Sequence, residues 1–251
     1  MSSNTLAETG ESVLLLGATG ATGRHVLREL LASNHWNRVV EAGRRVTAAD
    51  VVKGLEGKEK LVQKTIDFEK LETAGLREEK ADVVIIVLGT SKAAAGSEEN
   101  FIKIDRKYVI NAAKVAKTES EQRLLYLSST GASATSCFLY PKSKGLTEQG
   151  LDALGYKDFI AFRPGLLKDA QREKSRLAET ILSTVNDWMP SGVAASTAIP
   201  ITELAKSIVK AAQLGSWALP AAAAAAMESP QGLPPYHIIF NKGAVDLAAS
   251  K

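Results

Sequence analysis

"VLLLGATGATGRHV", residues 13–26, decides the fold. Four apolar residues, Val13–Leu16, run into glycines at 17, 20 and 23. Val26, Leu27, Leu30 and Leu31 then follow at helical spacing. A stiff apolar run joined to an amphipathic helix through evenly spaced glycines predicts a strand, a tight turn and a helix. The helix start presents free N–H groups and a partial positive charge. Gly17 would permit the turn. Gly20 would let a pyrophosphate approach the backbone, because no Cβ intervenes. Gly23 would let the helix close on the strand. A plain glycine turn is the competing reading, since the chain holds 19 glycines. The position of this one, after a strand and before a helix at the head of an alternating chain, favours dinucleotide binding.

Working outward, β-rich runs alternate with helical patterns. Strands are predicted at Val13–Leu16, Arg38–Ala42, Leu61–Phe68, Asp82–Leu88, Arg123–Ser128, Phe159–Arg163 and Tyr236–Phe240. "VVIIVLG", 83–89, is apolar at nearly every position, as in a parallel strand covered on both faces. Residues 97–117 predict a helix capped by Ser97, with Phe101, Ile104, Tyr108, Ile110, Ala112 and Val115 on its apolar face. Residues 201–215 predict another, closed by a C-terminal glycine. The alternation predicts an α/β fold, a doubly wound and mostly parallel sheet of Rossmann type, in one domain. The alanine- and proline-rich stretch 218–235 reads as an exposed insertion.

Composition sets the outer limits. The 251 residues are 45% hydrophobic and 24% charged with net charge +3, an ordinary globular balance too weakly basic to argue for nucleic acid. No apolar run reaches membrane-spanning length. The first residues resemble neither a secretory signal nor a mitochondrial presequence. The single cysteine, Cys137, suits a reducing compartment and reads as buried filler rather than a nucleophile. His25, His35 and His237 show no ligand spacing, so no metal site is expected. Trp36, Trp188 and Trp217 read as packing or substrate-region aromatics near loops and helix ends.

The turn after the second strand speaks to the kind of dinucleotide. A site selective for NAD places an acid there, to bond the ribose 2′-hydroxyl. This chain has "VVEAGRR", with Arg44 and Arg45 in that place and Arg24 directly after Gly23. Guanidinium groups pair with a 2′-phosphate, which favours NADP. Glu41 is the counter-reading, but it falls inside the strand.

"YLSSTGASATSCFLYPKSKG", 126–145, carries candidate chemistry. Tyr140 and Lys144, four apart, share a helical face. An ammonium beside a phenol is expected to lower its pKa and make it a proton donor or acceptor toward a carbonyl or alcohol oxygen. Ser128 and Ser129, at a strand end, can hold the same oxygen, and either could be the one that does. Pro141 places Tyr140 at the helix edge, and Gly145 is expected to loosen that turn.

These residues carry a resemblance. The chain resembles the atypical short-chain dehydrogenase/reductases, in the branch of the Tat-interacting oxidoreductase-like proteins and their fungal mitochondrial relatives. It does so through "LLGATGATGRHVL", "AGRR", "DFEKL", "VLGTSKAAAGSEENFIKIDRKYV", "LSSTGA", "FLYPKSKG", "FRPGLL" and "NKGAVDL". The resemblance implies a Rossmann-type fold binding NADP(H). It implies Gly17, Ala18, Thr19, Gly20, Ala21, Thr22 and Gly23 at the pyrophosphate, and Arg24, Arg44 and Arg45 at the 2′-phosphate. Asp67 and Phe68 would lie by the adenine. Leu88, Gly89 and Thr90 would flank the nicotinamide ribose, and Pro164, Gly165 and Leu166 would close over the nicotinamide. Tyr140 and Lys144 would be the acid/base and its helper. The resemblance also implies protein partners and a place in the cytoplasm or on the mitochondrial outer membrane. Two functions follow as expectations. One is hydride transfer between NADP(H) and a carbonyl or alcohol substrate, with pocket residues from 166–200 and 216–235. The other is an NADPH-binding regulatory or scaffolding protein with little turnover.

Overall fold

The computed structural model describes residues 10–168 and 198–250. The chain opens with β1 (Glu11–Leu16), α1 (Gly23–Ala32), β2 (Trp36–Gly43), α2 (Ala49–Lys53), β3 (Leu61–Thr65) and β4 (Val83–Ile86). It continues with α3 (Lys92–Ala95), α4 (Glu98–Ile102), a π-helical turn (Lys103–Lys107), α5 (Tyr108–Ala116), β5 (Arg123–Leu127), α6 (Leu139–Asp152), β6 (Asp158–Arg163) and β7 (Leu167–Lys168). The later described elements are β8 (Ile199–Pro200), α7 (Ile201–Leu214), β9 (Ala226–Glu228), β10 (Tyr236–Phe240) and α8 (Asn241–Ala249).

The main sheet has eight strands in the order β3-β2-β1-β4-β5-β6-β10-β9. All neighbours are parallel except β9, which closes one edge antiparallel to β10. Each apolar strand serves two cores by alternation. Val13, Leu15, Val83 and Ile85 face Val26, Leu30, Ile208 and Leu247 of α1, α7 and α8. Leu14, Leu16, Val84 and Ile86 face Val109, Ala112 and Leu151 of α5 and α6. Burial on both faces is why β1 and β4 read as unbroken apolar runs. The order reverses between β1 and β4, and in such sheets the crevice outside the strand carboxyl ends at that point receives ligands.

All seven predicted strands are present and the fold is the expected doubly wound α/β, with several local corrections. The third strand ends at Thr65 rather than Phe68, and Phe68 turns into the core to stack on Tyr108. The 97–117 helix is capped by Ser97, which accepts the Asn100 N–H, but it widens into a π turn at Lys103–Lys107. The 218–235 stretch is not simply an exposed insertion. Ala223 is fully buried against α8, and Ala226–Glu228 forms the edge strand. Trp36 opens β2 inside the core, Trp217 is exposed against Arg123, and Trp188 lies outside the described residues. Cys137 is exposed, not buried filler, because it sits in the surface loop before α6.

Asp152 ends α6 in a buried position, and its Oδ2 has no hydrogen-bond partner. Burial pushes this carboxyl up to about 6. A carboxyl raised in the folded state holds its proton longer there than in the unfolded chain. Stability therefore falls as pH rises from the ordinary carboxylate range to about 6. Discounted for the solvent that still reaches the carboxylate, Asp152→Asn should relieve this by about 1 kcal/mol above that window and by nothing below it. Denaturant titrations at acid and neutral pH check the difference.

Candidate active site

The glycine turn sits at the switch point. Gly17 has φ +96°, and a Cβ there would come within 2.8 Å of Leu88 N, so the turns after β1 and β4 touch. A Cβ on Gly23 would lie 2.0 Å from Gly17 O, so this glycine lets α1 start against the turn. Gly20 differs: its Cβ would meet only Gly17 O, at 3.3 Å. A side chain there would need the turn to give by only a few tenths of an ångström, and the position lines the cleft. The N–H groups of Ala21, Thr22 and Gly23 find no acceptor among the described residues. Free N–H groups, a dipole end and an uncrowded Gly20 fit a pyrophosphate.

An open cleft begins at this turn. Gly20, Ala21, Thr22, Leu88, Gly89, Thr90, Ser128, Ser129, Tyr140, Lys144, Pro164 and Gly165 all line it, so the four loops after β1, β4, β5 and β6 converge with α6. Other residues named from the sequence stand back from it. Gly17 and Gly23 back the turn, and Ala18 is buried in the core. Thr19 is exposed. Leu167 rather than Leu166 lines the cleft, and the Leu166 carbonyl accepts the Ile199 N–H. Phe68 is spent in packing, while Asp67 is exposed and accepts the Glu69 N–H. Most of 166–200 lies outside the described residues.

Arg44 and Arg45 are exposed just past β2, and Arg24 is half-buried beside Arg28. Glu41 is already engaged. It is 1% exposed and accepts from Thr47 N at 2.7 Å, Thr47 Oγ1 at 2.8 Å and Gln63 Nε2 at 2.7 Å. A carboxylate so occupied holds the β2 turn in shape.

Tyr140 is the second residue of α6 and Pro141 the third. Proline is tolerated in a first turn, where its missing N–H has no helical acceptor, so Pro141 leaves Tyr140 within the helix. Gly145 does not loosen the turn. A Cβ there would fall 2.3 Å from Ala134 N, so the glycine lets the 133–134 loop lie against α6. The Tyr140 ring is 6.0 Å from that of Phe101, and its hydroxyl interacts with Ser129. Ser128 Oγ, almost wholly buried at the cleft wall, has no hydrogen-bond partner.

Lys144 is 4% exposed and donates to Asp105 Oδ1 and to Tyr126 Oη, each at 3.0 Å. Burial alone would lower its pKa. Asp105, Tyr126 and Tyr140 together outweigh burial, Asp105 contributing most, and hold the ammonium well above the ordinary lysine value. Tyr140 departs from expectation. Burial raises its pKa, Lys144 opposes the rise and Asp105 adds to it. The expected lowering is therefore reversed in this site. Asp105 and Tyr126 escaped the reading of the sequence. Asp105 did leave a signal, an acid four residues after Phe101 and seven before Ala112 on an otherwise apolar face. Tyr126 left none, since a buried strand accepts tyrosine anywhere.

A family profile described as NAD(P)H-binding matches residues 17–213. Protein HTATIP2 of Rattus norvegicus is 32% identical over 199 residues, covering 79% of this chain and 80% of that protein. "Protein fmp52, mitochondrial" of Emericella nidulans is 34% identical over 170 residues, covering 68% and 72%. The UDP-N-acetylglucosamine 4-epimerase of Methanobrevibacter ruminantium M1 superposes with TM-score 0.57 at 14% identity, covering 82% of this chain and 74% of that one. MoeE5, solved with UDP-glucose and NAD, gives 0.57 at 16% identity, covering 82% and 73%. At such identities these two structures speak for the fold. Among the described residues no helix is long and apolar enough to cross a membrane, and no group of side chains could hold a metal ion.

Proposed function

The chain belongs to the NAD(P)H-binding family, and from that footing we propose that it is an NADPH-dependent oxidoreductase acting on a carbonyl or alcohol. The observation that carries this reading is the convergence on one cleft of the Gly20 turn, Tyr140, Lys144 and the unpartnered Ser128 hydroxyl. A bound nicotinamide would supply or accept the hydride. The chain's own residues do the rest. The turn N–H groups anchor the pyrophosphate. Ser128 Oγ, lacking a partner of its own, donates to the substrate oxygen. Tyr140 Oη passes the proton to or from that oxygen, and Ser129 orients the phenol. Leu127 and Leu167 give the cleft apolar wall, which keeps water from the reacting carbon.

NADP rather than NAD is proposed on two observations. Arg44 and Arg45 are exposed just past β2, the turn from which folds of this type reach the ribose 2′ position, and Glu41, the acid a 2′-hydroxyl would need, is already bonded three times. A charge-assisted contact to a phosphate is worth about 1.5–3 kcal/mol, roughly ten- to a hundredfold in affinity. Replacing Arg44 and Arg45 by Ala should erase that preference and leave NADH binding nearly unchanged. Calorimetry with both cofactors checks it, and equal affinities in the unmodified protein would overturn the assignment. The function is tested by following NADPH absorbance over a panel of aldehydes and ketones.

A further inference from the structure

Three charged or ionisable groups meet at the cleft wall, where Asp105 and Lys144 line it, and they come from three elements. Asp105 comes from the π turn, Lys144 from α6 and Tyr126 from β5. Asp105 is fully buried and Lys144 nearly so. Asp105 gives Lys144 one carboxylate oxygen, and the other, Oδ2, has no hydrogen-bond partner, so its negative charge is not drawn off by other donors. Thr147 Oγ1 donates to Ser143 O at 2.7 Å and lies 3.5 Å from the Asp105 carbonyl, so the π turn packs against α6. Gly89 leaves the opposite wall bare. A Cβ there would come 3.2 Å from Asp105 Oδ1 and 3.6 Å from Lys144 Nζ.

Opposite charges 3.0 Å apart act on a third group mainly as a dipole, whose field fades faster than that of a lone charge. Lys144 Nζ lies 5.7 Å from the Tyr140 ring centre, so Tyr140 feels the pair rather than a bare ammonium. The other groups facing Tyr140 add little charge. Ser129 brings a hydroxyl and Phe101 an apolar ring. Tyr126 is held as a neutral phenol by its burial. Glu148, one turn beyond Lys144, is matched by Arg163 and bonded by Tyr236.

We propose that Asp105 is a positioning residue that cancels the charge of Lys144, so that Tyr140 stands as a neutral phenol and the site serves carbonyl reduction rather than alcohol oxidation. The inference rests on the oxidoreductase reading and gives it a direction. In reduction the Tyr140 O–H bond breaks and its proton goes to the carbonyl oxygen. The hydride from the reduced nicotinamide forms the new C–H bond, and the carbonyl π pair becomes the O–H bond. An alcohol, an oxidised nicotinamide and a tyrosinate result, and the tyrosinate recovers a proton from water. Oxidation needs the tyrosinate at the outset, which this site disfavours near neutrality.

The test is an ultraviolet titration of tyrosinate in the cofactor-free protein, with Tyr140 isolated by subtracting Tyr140→Phe. The Tyr140 signal should develop only above the pH at which free tyrosine ionises. Asp105→Asn should shift it down by about one pH unit or more, the effect of baring a neighbouring cation. Asp105→Asn can lose the fold, because it leaves a buried ammonium unpaired. Asp105→Asn combined with Lys144→Met removes both charges and should titrate within about half a unit of the parent, since two cancelling charges have been removed together. Tyr140 ionising below free tyrosine in the parent, Asp105→Asn leaving the titration unmoved, or a displaced double variant would each overturn the proposal. No substrate enters this measurement. A titration as expected with no turnover on any carbonyl would sink the oxidoreductase reading while leaving the Asp105 role intact. Turnover with a contrary titration would do the reverse.

Discussion

Tyr140→Phe is expected to keep the fold and the NADPH affinity and to lower carbonyl turnover by about 10²–10⁴-fold, the usual range for losing a general acid. The substitution removes one oxygen and leaves the ring against Phe101, so packing is spared. The lost oxygen is the one that meets Ser129 at the cleft. Since KM reports binding and kcat the proton step, the fall should lie in kcat. Steady-state rates with NADPH held constant check this, and undiminished activity would rule out Tyr140 as the acid. Lys144→Ala is a poorer probe of the same step. It strips Asp105 of its ion pair inside the protein, and breaking one side of a buried pair costs about 3–5 kcal/mol in stability.

Gly20→Val is expected to abolish dinucleotide binding, by about a hundredfold or more, in a protein that still folds. The basis is a contrast between two glycines in one turn. At Gly20 an added Cβ meets nothing nearer than Gly17 O at 3.3 Å, whereas at Gly23 it would fall 2.0 Å from that same oxygen. The first position is open to the cleft and the second is sealed by the fold. A branched side chain at Gly20 would occupy the space over the free N–H groups of Ala21, Thr22 and Gly23. Losing one or two charge-assisted hydrogen bonds there accounts for the size of the effect. Gly23→Ala is the matched control and should be lost to misfolding instead. Circular dichroism and NADPH fluorescence together separate the two outcomes, and retained affinity in folded Gly20→Val would make the turn only a turn.

Much of the architecture was legible in local pattern. Val13–Leu16 and "VVIIVLG" could be read as twice-covered strands because burial on both faces removes every polar residue from a strand. The glycine spacing located the switch point, since Gly17 and Gly23 answer backbone constraints that no other residue meets and Gly20 stands between them on the cleft side. Tyr140, Lys144, Ser128 and Ser129 could be named as candidates from their spacing, and the structure brings them to one cleft. Where reading failed, a long-range contact had overruled a local rule. Gly145 looked like a helix weakener until the 133–134 loop was found lying on it. The alanine run at 218–235 looked like a surface insertion, yet α8 covers Ala223 and β10 takes up Ala226–Glu228.

The sequence by itself determined the alternation of strands and helices, the position of the glycine turn and the identity of the phenol and the lysine. Periodicity and steric need are properties of neighbouring residues, so they are written locally. Only the tertiary structure decided the charge state the phenol meets. Lys144 finds Asp105 39 residues away and Tyr126 18 residues away, across three elements. A lysine four residues from a tyrosine promises a lowered pKa only if its charge stands alone in the site. Burial and a carboxylate delivered by a π turn reverse that promise, because electrostatic effects sum over everything near in space and are indifferent to distance along the chain.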